Sequence, residues 1–251
     1  MARNRGGNSG AGGISEQNLR IFGHAFLQSL MEKGYMLESD AKQLYKRICA
    51  LDTDAGYLAF ISDIGANISF SGFELRRAKW PGDDQIYLGF VNVVSDESSK
   101  RATPFKSKDN RPDVRYTAYF RALLEKIAGH PGQLDGPLSS NGLGFISTKD
   151  ALNLNFTLAA APEPDANDGE AGPSTQRQQQ VLAGAAAQPF RPSDKDRALK
   201  YFVEQGWLAK TPNQETCYSL GPRSFLELGT MLAEMDLEPG PKAALEAAIG
   251  V

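Results

Sequence analysis

The side chains that could do chemistry in this sequence are few: His24, His130, Cys49 and Cys217 are its only histidines and cysteines. Nucleophilic catalysis through a thiol needs a positioned base, and neither histidine stands well for that task. His24 falls between Phe22 and Phe26 at the edge of an apolar stripe, the setting of a structural, half-exposed histidine. His130 sits between Gly129 and Pro131, the punctuation of a helix C-terminus, where a cation complements the helix dipole. Cys49 and Cys217 each lie in an apolar element and read as buried thiols. A zinc site would have to use all four residues, and no CxxC spacing brings any two together. Asp83-Asp84 looks like a carboxylate pair, but Pro81-Gly82 before it marks a turn. The glycine-rich run Gly6 to Gly13 has neither the preceding strand nor the spacing of a phosphate loop. No catalytic residue, metal ligand or cofactor is therefore expected in this chain.

Charge narrows the remaining classes. With 27 Lys+Arg against 30 Asp+Glu and a net charge of -3 over 251 residues, bulk attraction to nucleic acid or an anionic membrane is excluded, so any phosphate contact must be local. The most basic stretch runs from Lys100 to Arg115; Lys100, Arg101, Lys106, Lys108 and Arg111 are its candidate phosphate contacts. No apolar run approaches the roughly 20 residues of a membrane span, and two cysteines without a secretory signal fit a reducing compartment.

The elements that would position these residues follow from periodicity. After a tail over 1–14, Ser15 is placed to cap a helix whose Leu19, Phe22, Phe26 and Leu30 recur at helical spacing, with Gly34 as its stop. Ala41, Leu44, Tyr45 and Ile48 predict a second helix from Glu38 or Ser39. Leu58, Ile61, Ile64 and Ile68 predict a third, capped within Asp52 to Asp54. The period then changes to two: Phe73 and Leu75, the turn Pro81 to Asp84, and Ile86, Leu88 and Phe90 predict a β-hairpin. Three helices and a hairpin are the order of a winged helix, assigned to 15–94. A basic linker occupies 95–111.

From 112 to 236 the order returns: a helix from Val114 to Ile127, a short one from Ser147 or Thr148, and one capped by Ser193. A hairpin about Pro212 to Glu215 and a last helix through Met235 follow. Residues 157–191 are Ala-, Pro-, Gly- and Gln-rich and read as a low-complexity insertion, and 237–251 as a C-terminal tail. The fold class expected is mainly α with β-hairpin wings, two tandem winged helices.

Winged helices read DNA with a basic helix or bind protein with an apolar one. The third helix carries Asp54 and Asp63 and no Lys or Arg between Thr53 and Phe70, which disfavours phosphate. The first helix is apolar over more than half its circumference, so Phe22, Phe26, Leu27, Leu30 and Met31 are the candidate partner-binding residues.

Several separated blocks carry a resemblance. FGHAFLQSLMEKGYMLESDAKQLYKRIC (Phe22 to Cys49), TAYFRALLEKI (Thr117 to Ile127), GFISTKDALNL (Gly144 to Leu154), ALKYFVEQGWLAK (Ala198 to Lys210) and YSLGPRSFLEL (Tyr218 to Leu228) resemble the non-SMC element 1 family, subunits of the SMC five/six complex. The resemblance implies a nuclear subunit with two winged helices, acting in DNA repair and recombination. Its implied partners are a MAGE-type third non-SMC element and a kleisin-like fourth element, with DNA touched at most indirectly or weakly and no membrane. It also implies a C-terminal RING-like zinc domain that supports ubiquitin ligase activity. Here the sequence departs from the family, because no Cys or His follows Cys217 and a RING needs eight zinc ligands. A non-catalytic interaction subunit is therefore the expected function. A RING-type E3 ubiquitin ligase is the alternative if a zinc domain belongs to the full-length product.

Overall fold

The computed structural model describes residues 16–93, 105, 113–129, 144–156, 190–211, 214–234, 242–243, 246–248 and 250. The tail over 1–14, Ser15, His130, most of the 95–111 linker and nearly all of the 157–191 insertion lie outside them.

The first unit contains helices α1 (Glu16–Lys33), α2 (Glu38–Cys49) and α3 (Tyr57–Ile68), and strands β1 (Tyr35–Leu37), β2 (Phe73–Trp80) and β3 (Gln85–Asn92). Its antiparallel sheet has the order β1-β3-β2. The second repeats the pattern with α4 (Val114–Gly129), β4 (Ile146–Ser147), α5 (Thr148–Asn153), α6 (Pro192–Glu204), β5 (Leu208–Thr211) and β6 (Gln214–Leu220). Its sheet order is β4-β6-β5, and α7 (Pro222–Glu234) follows. The chain is thus helix-rich with two small antiparallel sheets, and no described helix is long and apolar enough to cross a membrane.

The stripes of α1, α2 and α4 bury largely as their spacing predicts. Phe26, Leu30, Tyr45, Tyr57, Phe60, Ile61 and Ile64 interlock in the first core, with Phe26 and Phe60 edge to face at 5.4 Å. Glu38 opens α2, and its carboxylate accepts two hydrogen bonds from the Arg77 guanidinium of β2, at 2.6 and 3.3 Å, tying helix to hairpin. Gly34 takes a φ of 78° and donates its N–H to Leu30, which ends α1. Ala50 closes α2 in the same left-handed region, at φ 52°, where a side chain is strained.

Several sequence expectations change. Leu58, placed on the apolar face of α3, is 57 % exposed, because the buried stripe runs instead through Tyr57, Phe60, Ile61 and Ile64. The N-cap of α3 is Gly56, with no side-chain cap from Asp52 to Asp54. Ser193 lies inside α6; Arg191 is the N-cap, Pro192 supplies the preset φ of the first helical position, and the Asp194 carboxylate accepts the Arg191 N–H at 3.2 Å. The linker contributes to the core: Phe105 is buried against Phe120, Phe202 and Trp207, and its carbonyl accepts the Asp113 N–H at 3.1 Å. Phe190, counted within the insertion, packs on Tyr116, Tyr119 and Phe156 with ring centroids 5.5 to 5.7 Å apart. The Lys195 ammonium, buried beside Tyr119, donates to the Leu152 and Leu154 carbonyls at 2.8 Å and fixes the end of α5.

The hairpin β2–β3 is covered on both faces. Alternation sends Leu88 and partly buried Leu75 and Phe90 to the first core, while Ala78, Val91, Trp80 and Tyr87 join the second. Helix α7 lies across that second face. Gly89 is needed there because a Cβ would come within 2.9 Å of Leu226. The Trp80 indole donates to the Leu220 carbonyl at 3.0 Å and Arg76 to that of Leu226 at 2.9 Å. Arg223, paired with Glu227 at 2.6 Å, stacks on Trp207 at 4.6 Å.

Candidate docking surface

A docking surface is built from apolar side chains that the chain's own packing leaves uncovered, so the question is where each candidate ends up. Phe26 and Leu30 of α1 are fully buried in the first core, and Phe22 and Leu27 pack half-buried at its margin. Only Met31, 57 % exposed, stands out in solvent from the five α1 residues chosen by sequence. The apolar excess of α1 is largely absorbed because α2, α3 and β3 all pack against it. Lys100, Arg101, Lys106, Lys108 and Arg111 lie outside the described residues.

Sequence periodicity missed a second set of exposed apolar residues on and just beyond α3. Leu58 projects from its first turn, and Phe70 is 89 % exposed in the 3-10 turn Ser69–Ser71 that follows it. Phe70 falls two residues after Ile68, off the three- and four-residue spacing of the buried stripe, and a single aromatic at the end of a helix carries no period that marks it as a surface residue. The same helix exposes Ser62, Asp63, Ala66 and Asn67, a neutral-to-acidic face without a cation.

The chemistry-bearing residues do not converge. His24 is exposed on α1; Cys49 closes the first core and Cys217 lies on β6 of the other sheet, both as buried free thiols. Loss of solvent pushes the Cys49 thiol up from its ordinary pKa, away from reactivity. No three His, Cys, Asp or Glu side chains gather as a metal site among the described residues. Burial also raises the phenol pKa of Tyr57 and Tyr119, the behaviour of core tyrosines.

Residues 23–228 match the family described as the Nse1 non-SMC component of the SMC5-6 complex. No curated protein matches the chain. A solved structure of an Nse1-Nse3-Nse4 complex contains a chain of similar fold, with a TM-score of 0.57 and 18 % identity over 85 % of this chain and 73 % of that one. At that identity the likeness concerns the fold.

Proposed function

We propose that this chain, which belongs to the family of the Nse1 non-SMC component of the SMC5-6 complex, is a non-catalytic docking subunit built from two tandem winged helices. The repeated order helix, strand, helix, helix, strand, strand, with the first strand paired to the third in each sheet, supports the winged-helix reading. Its partners are a MAGE-type third element and a kleisin-like fourth element, and its place is the nucleus, in DNA repair and recombination. The observation that carries a protein-docking role over groove reading is α3: its solvent face holds Leu58 and Asp63 and no cation, so it repels phosphate and offers apolar area. Burial of one large apolar side chain at such a contact contributes about 1.5 to 3 kcal/mol.

Calorimetric titration against an Nse3–Nse4 heterodimer tests the reading. Apolar docking predicts an affinity that changes by less than about threefold between low and physiological salt, whereas a contact through six or more phosphates would lose about a thousandfold or more. Absence of a complex with folded protein, or a collapse of affinity with modest salt, would refute it.

A further inference from the structure

An exposed phenylalanine alone signifies little, but Phe70 is held out by a turn stitched at every position around it. Ser69 donates its hydroxyl to the Ala66 carbonyl at 2.9 Å and Ser71 donates to that of Ile68 at 2.6 Å. Gly72, at φ 77°, donates its N–H to the Ser69 carbonyl at 3.0 Å, and its own carbonyl accepts the Val93 N–H at 2.9 Å. That last bond joins the turn to the end of β3, where Val93 is 48 % exposed. The result is an apolar corner, Phe70 beside the Gly72–Val93 junction, whose backbone is fixed before any partner arrives. Little ordering entropy would be lost on docking, the condition under which one side chain contributes most.

We propose that Phe70 is an anchor that inserts into an apolar pocket of a partner protein, rimmed by Lys or Arg that face Asp63. This deepens the docking function and rests on it. Charge selects the occupant. Asp63 lies seven residues, about two helical turns, before Phe70 and is exposed on α3, and no Lys or Arg occurs between Thr53 and Phe70. The acid opposes nucleic acid and anionic lipid. A second copy paired with Asp63 near the two-fold axis would set acid against acid.

The test uses the full chain and an Nse3–Nse4 heterodimer, with Phe70→Ser, Asp63→Lys and, as a distant exposed control on α7, Met231→Ser. Phe70→Ser should weaken binding tenfold or more at an unchanged melting temperature, since the side chain contributes little to the core. Asp63→Lys should weaken binding severalfold, and more so at low salt, while Met231→Ser should bind as the unaltered chain does. If the unaltered chain binds and Phe70→Ser binds equally well, the anchor is refuted and the docking function stands. If the unaltered chain does not bind, both fail. Self-association of the chain that Phe70→Ser abolishes would identify a second copy as the occupant and overturn the proposal.

Discussion

Phe156 and Phe190 stand at the two ends of the insertion with their rings 5.6 Å apart, both against Tyr119, and the Arg115 guanidinium lies over Phe190 at 5.6 Å. The chain therefore leaves after Phe156 and re-enters at Phe190 from neighbouring positions, and a six-residue Gly/Ser bridge can replace residues 158–188. Replacing about thirty residues by about six removes a little over two doublings of loop length, worth about 1.5 kcal/mol in closure entropy. For a chain of this size that raises the melting temperature by about 3 to 6 °C. Carrying the deletion through Phe190 should reverse the sign. A half-buried phenylalanine with three aromatic neighbours contributes about 2 kcal/mol, so Phe190→Ala should melt about 4 to 8 °C lower than the unaltered chain. Thermal melts followed by circular dichroism compare the three proteins directly. Loss of several kcal/mol in the bridged chain would show that residues 158–188 pack on the fold and would refute the closed neck.

Other perturbations address the scaffold. Glu38→Ala strands the Arg77 guanidinium at the seam of α2 and the hairpin and should cost about 2 to 4 kcal/mol in urea unfolding. Exchanging both for Leu and Met should recover much of that. Ala50→Gly relieves the left-handed strain at the end of α2 and should gain about 0.5 to 1 kcal/mol, read as a higher urea midpoint. The phenols of Tyr57 and Tyr119 are raised by burial, so the folded chain holds their protons more tightly than the unfolded one. That contribution is complete below the unfolded value of about 10 and is lost as pH rises toward the folded values, at up to about 1.4 kcal/mol per pH unit per tyrosine. Burial lowers the Lys195 pKa, an opposite sign that offsets part of the loss. Alkaline melts with absorbance titration of the phenolates check this; stability flat from pH 10 to 11.5 would contradict it.

The longer helices and the first hairpin were legible because their periods persist for eight residues or more, whereas six-residue α5 was marked by its Ser147 cap. Strands β1 and β4, three and two residues long, are too short to alternate, and only pairing to β3 and β6 defines them. Phe105 was hidden among the cations of the linker, since one aromatic in a polar run carries no period. The surface was read in outline: an apolar, non-cationic docking face was expected, but α1 was chosen for its richness. Phe26 and Leu30 belong to the core because three elements converge on α1, a fact of tertiary contact that no stripe encodes. Conversely, Glu74 and Arg76 look like a solvent face of β2, whereas that face meets α7.

The two-sided hairpin also sets a schedule for biosynthesis. Arg76 and its acceptor Leu226 are separated by 150 positions in sequence. At about 5 to 20 residues per second, translation delivers α7 roughly 10 to 30 s after β2 has been made. Throughout that interval Ala78, Trp80, Tyr87 and Val91 have no helix to cover them. Completion of the first unit is thus a late event on the ribosome, and the nascent chain exposes, for seconds, an apolar face of the kind that holding chaperones bind.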